Sequence, residues 1–187
     1  MKSSENRSYE KLRETDIERL LAIEREWRSS LEQRIEHWRH YAPRLLCVAI
    51  TQGGALHLID GRNGIKDFDF YRFFATSPTR PNPDPAIYRG RTSKDFGDAS
   101  RFGRNLDPHA KPKVKRMIGR NVDIFSVALR VKPGSDPMPA IRELLASPRT
   151  ATEHYLAAKA IVILEPKPYR IAWPPQLDGQ SLRGFEG

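Results

Sequence analysis

A chain of 187 residues with 39% hydrophobic and 29% charged side chains can bury a core without covalent staples. No apolar run approaches the ~20 residues of a membrane-spanning helix, the first residues lack a secretory apolar stretch, and the single cysteine, Cys47, excludes an internal disulfide. These features point to a cytoplasmic protein. The net charge of +9 is concentrated, because residues 76–120 hold eleven basic and four acidic side chains while residues 1–44 and 121–187 are nearly balanced. A basic field of this kind favours triphosphates or nucleic acid.

Residues 1–8 read as a disordered tail, 9–173 as a single domain with a basic insertion at 76–120, and 174–187 as a flexible tail. Thr15 and Glu18 have the spacing of a capping box. From there Leu20, Trp27, Leu31, Ile35 and Trp38 mark one face of a long amphipathic helix that ends near Tyr41, before Pro43. That stripe is expected to pack on the domain, or else to meet a second copy or a partner helix. Residues 44–50 are a continuous apolar run, as in a strand buried on both faces, and Cys47 within it reads as a small buried hydrophobe. Gly53-Gly54 breaks the run, residues 55–60 suit a short helix, and residues 61–64 a turn. Residues 65–75 read as a Phe-rich strand, and residues 76–120 as a long, irregular segment. Residues 121–131 alternate as a strand, with Val122 and Ile124 on one face and Asp123 and Phe125 on the other. Helices are expected from Pro137 to Leu145 and from Ser147 to about Ala160, then strands at 161–164 and 169–173.

Three short motifs carry chemistry. Asp67 and Asp69 lie two apart and project to one side of a strand. Paired carboxylates repel unless a cation neutralises them, and hard oxygen donors select Mg²⁺ or Mn²⁺. Gly53-Gly54, thirteen residues ahead of Asp67, lets the backbone approach a phosphate at a helix start. Asp123 is an acid within an apolar strand, where burial without a partner is expensive. The insertion adds Tyr88-Arg89-Gly90-Arg91, Arg101-Phe102-Gly103-Arg104 and Lys111 to Arg116, in which cations and aromatics suited to phosphates and bases are interleaved. Arg101, Arg104 and Arg120 are therefore candidate nucleotide-binding residues, and the segment as a whole a candidate RNA-binding surface. His57, just after the glycines, could touch phosphate or simply pack, and His37, His40, His109 and His154 form no zinc spacing.

In order and spacing, Gly53-Gly54, Asp67-x-Asp69 and Asp123 resemble the signature of the nucleotidyltransferase superfamily typified by DNA polymerase β. The resemblance implies an α+β fold with a small mixed sheet and helices packed on one side. It implies that Asp67 and Asp69 hold metal ions, that Asp123 completes the metal site and helps activate the attacking hydroxyl, and that Gly53 and Gly54 cradle the β- and γ-phosphates. The implied reaction moves a nucleoside monophosphate from a triphosphate to an acceptor hydroxyl, with release of pyrophosphate. The acceptor would be an RNA end, a protein or a small molecule. Two other readings stand beside it. One is a non-catalytic nucleic-acid-binding or toxin–antitoxin-type partner protein that uses the first helix. The other is a metal-dependent nuclease built on Asp123 and Glu165-Pro166-Lys167.

Overall fold

The structure, a computed structural model, describes residues 7–76, 91–97, 99–104, 109 and 111–186, with the backbone alone at 36, 37, 99 and 100. Among the described residues the α-helices and strands run, in chain order, β1 (Leu12–Arg13), α1 (Glu14–Arg34), β2 (Leu45–Thr51), α2 (Gln52–Asp60), β3 (Phe68–Ala75) and β4 (Thr92–Asp95). There follow α3 (Ala99–Phe102), α4 (Pro112–Lys115), β5 (Asn121–Leu129), α5 (Pro137–Ala146), α6 (Ala151–Ala157), β6 (Ile161–Glu165), β7 (Arg170–Trp173) and β8 (Phe185–Glu186). Six strands form one mixed sheet in the order β4-β5-β3-β2-β6-β7. β3 and β5 are its parallel neighbours, and the other pairs run antiparallel.

The α+β class is as expected, but helices cover both faces of the sheet rather than one. The reason lies in β2, which has no polar alternation and so no face to offer to water. Its Val48 and Ile50 enter a core with Ile17 and Leu20 of α1 and Ala55 and Leu58 of α2. Its Cys47 and Ala49 enter the opposite core with Ile141 and Leu145 of α5 and Leu156 of α6. Burial drives the Cys47 thiol far above its ordinary range, which makes it inert. Among the described residues no helix is long and apolar enough to cross a membrane.

α1 starts one residue before Thr15, and Asp16 rather than Glu18 supports the start, its carboxylate accepting the Arg13 N–H at 2.7 Å. The helix stops at Arg34, short of the expected Tyr41, and the chain continues as 3₁₀ turns over Glu36–His40 and Ala42–Arg44. The stripe packs inward, with Leu20, Leu31 and Trp38 buried, and Trp38 meets Phe74 edge-on with ring centres 5.5 Å apart. An ion pair lies within this dry interface. Glu24 of α1 stands 3.8 Å from Arg72 of β3, both with 0% side-chain exposure, and Arg28 approaches Glu24 to 3.3 Å. The Arg72 guanidinium also lies 4.8 Å over Trp38 and donates to Ser126 Oγ at 3.1 Å.

Both expected tails are partly tied down. Residues 1–6 lie outside the described residues, but Ser8 already pairs with Ile65. At the other end the segment from Pro174 onward is not a loose tail. It forms a 3₁₀ turn at Pro175–Leu177 and then returns as β8, parallel to β1. Its Arg183 and Gly184 N–H groups donate to the Ile59 and Leu58 carbonyls at 3.0 Å, capping the end of α2. A Cβ on Gly184 would fall 1.8 Å from the His57 carbonyl oxygen. Gly184→Ala is therefore expected to cost about 2 kcal/mol or more, because backbone on both sides has to move. Urea unfolding of the two proteins measures this, and an unchanged midpoint would show that the return segment does not dock on α2.

Candidate active site

The site is built where β2 turns into α2. Thr51 ends the strand, and Gln52 adopts a left-handed backbone with φ of 58°. Only a few per cent of residues other than glycine do so, and the conformation costs energy that the surroundings must supply. The Gln52 N–H donates to the Ala160 carbonyl at 2.9 Å, and its buried side-chain amide donates to the Tyr155 carbonyl. This sharp reversal makes Gly53 and Gly54 part of the first turn of α2, three residues earlier than the expected helix start. The N–H groups of a first turn have no intrahelical acceptor and point outward. The two glycines differ. A Cβ on Gly54 would come within 2.8 Å of Ile50 Cδ1, whereas one on Gly53 would meet nothing within 4 Å. Gly54 answers a packing need, and Gly53 faces open space.

The acidic residues converge on the same end of the sheet. Thr51 pairs with Asp69, Asp69 with Asp123, and Asp123 with Ser93, so one row runs across β2, β3, β5 and β4. Partners in register share a face of the sheet, here the face of Tyr71, Leu129 and α6. Asp67 lies two residues upstream of Asp69, just before β3 begins. Asp123 accepts hydrogen bonds from the Ser93 hydroxyl and, at 2.9 Å, from Asn121 Nδ2. Asp69 is 8% exposed and accepts a long hydrogen bond, 3.4 Å, from the Tyr155 hydroxyl.

Electrostatics reflect the crowding. Burial, then Asp67 and Asp123, push the Asp69 carboxyl up from 3.8 to about 7. Burial and then Asp123 also raise Asp67. Among the described residues no Lys or Arg forms an ion pair with any of the three aspartates. Also among them, no three His, Cys, Asp or Glu side chains are arranged to hold a metal ion. The fit to a cation is therefore one of donor chemistry. The donors are carboxylate oxygens, hard in character and pressed together, and the cations Lys66, Lys159 and Arg7 that act on Asp67 only partly offset the crowding.

The arginines expected to bind nucleotide are placed otherwise. Arg101 reaches to α1, donating to Asp16 at 3.0 Å and to the Lys11 carbonyl at 2.6 Å. Arg104 is exposed and donates to the Lys115 carbonyl at 2.7 Å. Arg120 is buried and donates to the Phe102 and Lys66 carbonyls at 2.8 and 3.2 Å. Its charge acts favourably with Asp67, so of the three it alone borders the carboxylates. Arg101 is drawn into structural bonds beside α1, and Arg104 into one within its own segment. His57 packs rather than facing phosphate, being fully buried with its ring nitrogens 2.8 and 2.9 Å from the Asn63 and Glu10 carbonyls. Tyr88, Arg89 and Gly90 lie outside the described residues, as does the His37 side chain. Arg91 is exposed and stands 4.7 Å over the Phe125 ring, and Lys111, Lys113, Lys115 and Arg116 are exposed to solvent.

Residues of the site that motif reading passed over are Gln52, Ser93, Asn121 and Tyr155. Asn121 stood two before Asp123 on the same face and was legible by alternation. Ser93 and Tyr155 gave no signal, since each depends on which strand or helix becomes the neighbour. The nuclease constellation is not assembled. Glu165 lies beside Glu24 under α1, Lys167 pairs with Glu14, and Asp123 is on the opposite face. No family model, curated protein or solved structure matches this chain.

Proposed function

We propose that the chain is a metal-dependent nucleotidyltransferase. It moves a nucleoside monophosphate from a triphosphate to an acceptor hydroxyl and releases pyrophosphate. The observation that carries this reading is the register of Asp69 beside Asp123, with the glycine turn of α2 opening from Thr51 in the same row. Asp67, Asp69 and Asp123 would hold Mg²⁺ or Mn²⁺, which when bound neutralises phosphate charge and lowers the barrier to displacement. Gly53 and Gly54 offer backbone N–H groups to the β- and γ-phosphates. Gln52 holds that turn in shape through Tyr155 and Ala160. The exposed cations of residues 104–116 favour a polyanionic acceptor such as an RNA end. The exposed face of α1 remains available to a second copy or a partner.

The test is transfer of label from α-³²P nucleoside triphosphates, each base in turn, to total RNA and to protein with Mg²⁺ or Mn²⁺. The wild type is expected to transfer label, and an Asp67→Ala, Asp69→Ala double variant to lose on the order of a hundredfold or more. Folded wild-type protein that transfers nothing to any acceptor would instead favour a non-catalytic nucleic-acid-binding module, a reading the exposed basic segment also suits.

A further inference from the structure

We infer that the Tyr155 hydroxyl is itself an acceptor, so that the chain nucleotidylates its own α6; this rests on the transferase reading above. Acceptor chemistry requires a hydroxyl held beside the reacting carboxylates and open to a bulky triphosphate. Tyr155 meets both needs. Its hydroxyl lies 3.4 Å from Asp69 Oδ2, yet the residue is 46% exposed. It is also held in place from three sides. Its carbonyl is bound by the Gln52 side chain from the glycine turn, the start of α6 is closed by a reciprocal Thr150–Glu153 cap, and the end is held by Trp173 Nε1 on the Ala157 carbonyl at 2.9 Å. Tyr71, which lies on the same face, is 4% exposed and stacked on Phe125 with ring centres 4.9 Å apart, so it has no comparable approach.

In the step, the Tyr155 oxygen forms a bond to the α-phosphorus of a nucleoside triphosphate. The bond from that phosphorus to the oxygen bridging the β-phosphate breaks, and pyrophosphate leaves with the electron pair. The phenolic proton passes to solvent water, to which the half-exposed Tyr155 is open, so that Asp69 keeps its oxygens for the cation. The product is a phosphodiester between tyrosine and nucleoside. Because it stays tethered beside Asp69, it fills the space the next triphosphate needs, and each chain is modified once.

Intact-mass measurement and peptide fragmentation test this on the full chain, as purified from cells and after incubation with each triphosphate and Mg²⁺ or Mn²⁺. The expected result is one nucleoside monophosphate per chain, located on Tyr155. Tyr155→Phe is expected to lower the adduct on the order of tenfold or more with an unchanged unfolding midpoint. An adduct on another residue, or label passing to added RNA while Tyr155 stays unmodified, overturns the inference and leaves the transferase standing. No transfer of any kind, with the protein folded, overturns both.

Discussion

Asp69→Asn is expected to stabilise the folded chain strongly at pH 8 and to leave its stability nearly unchanged at pH 4. The Asp69 carboxyl is raised from 3.8 to about 7 by burial and by Asp67 and Asp123. A carboxyl that holds its proton more tightly when folded costs nothing below its unfolded value. Stability then falls as pH rises through the interval from about 4 to about 7, and stays low above it. Each tenfold change in proton affinity is worth about 1.4 kcal/mol, so the ceiling on this cost is a few kcal/mol. Asparagine keeps the shape and removes the charge. Urea unfolding of both proteins from pH 4 to pH 8 reads the difference directly, and parallel curves across that range would refute it. Mg²⁺ should recover part of the same energy in the wild type at pH 8, and much less in the variant, by mass action on the folded state.

Gly53→Ala should separate ligand binding from folding. No atom stands within 4 Å of the Cβ it introduces, and alanine is favoured over glycine in helices by up to about 1 kcal/mol. The variant is therefore expected to unfold at the same urea concentration or a slightly higher one. A methyl group at this position nevertheless occupies the space through which a phosphate would approach the first turn of α2. Affinity for nucleoside triphosphate, and for inorganic tripolyphosphate as the minimal probe, is expected to fall on the order of tenfold or more. Calorimetric titration of both proteins decides the point, since equal affinities would remove the turn from any phosphate site. Gly54→Ala is a weaker instrument, because its Cβ presses on Ile50 Cδ1 at 2.8 Å and so mixes packing with binding.

Alternation made much of β5 legible. Val122 and Ile124 against Asp123 and Phe125 could be read from the period of two, and the two cores receive them accordingly. The apolar run of β2 was equally plain, and with it the burial of Cys47. The start of α2 was not, because a Gly-Gly pair reads as a breaker and nothing in the sequence marks Gln52 for a left-handed turn. β4 was missed inside the basic insertion. Its residues Thr-Ser-Lys-Asp lack apolar alternation and become a strand only through pairing with β5. The same holds for the meeting of Asp69 with Asp123. Fifty-three residues separate them, and their adjacency is a property of parallel pairing in one register, which local propensity does not encode. The cap at Asp16 and the return of Gly184 onto α2 likewise depend on tertiary contacts.

The buried Glu24–Arg72 pair bears on how many ways α1 can sit. Apolar side chains repeated along a helix fit a sheet almost equally well after a slide of one turn, about 5.4 Å. Such a slide would carry Glu24, together with Arg28 on the same helix, away from Arg72 and leave the dry Arg72 charge without its carboxylate, at a cost of several kcal/mol. The pair adds little to the depth of the native well and a great deal to the height of its neighbours. It acts as an index pin, holding α1 to a single seat on β3 and, through β3, fixing where Asp69 stands.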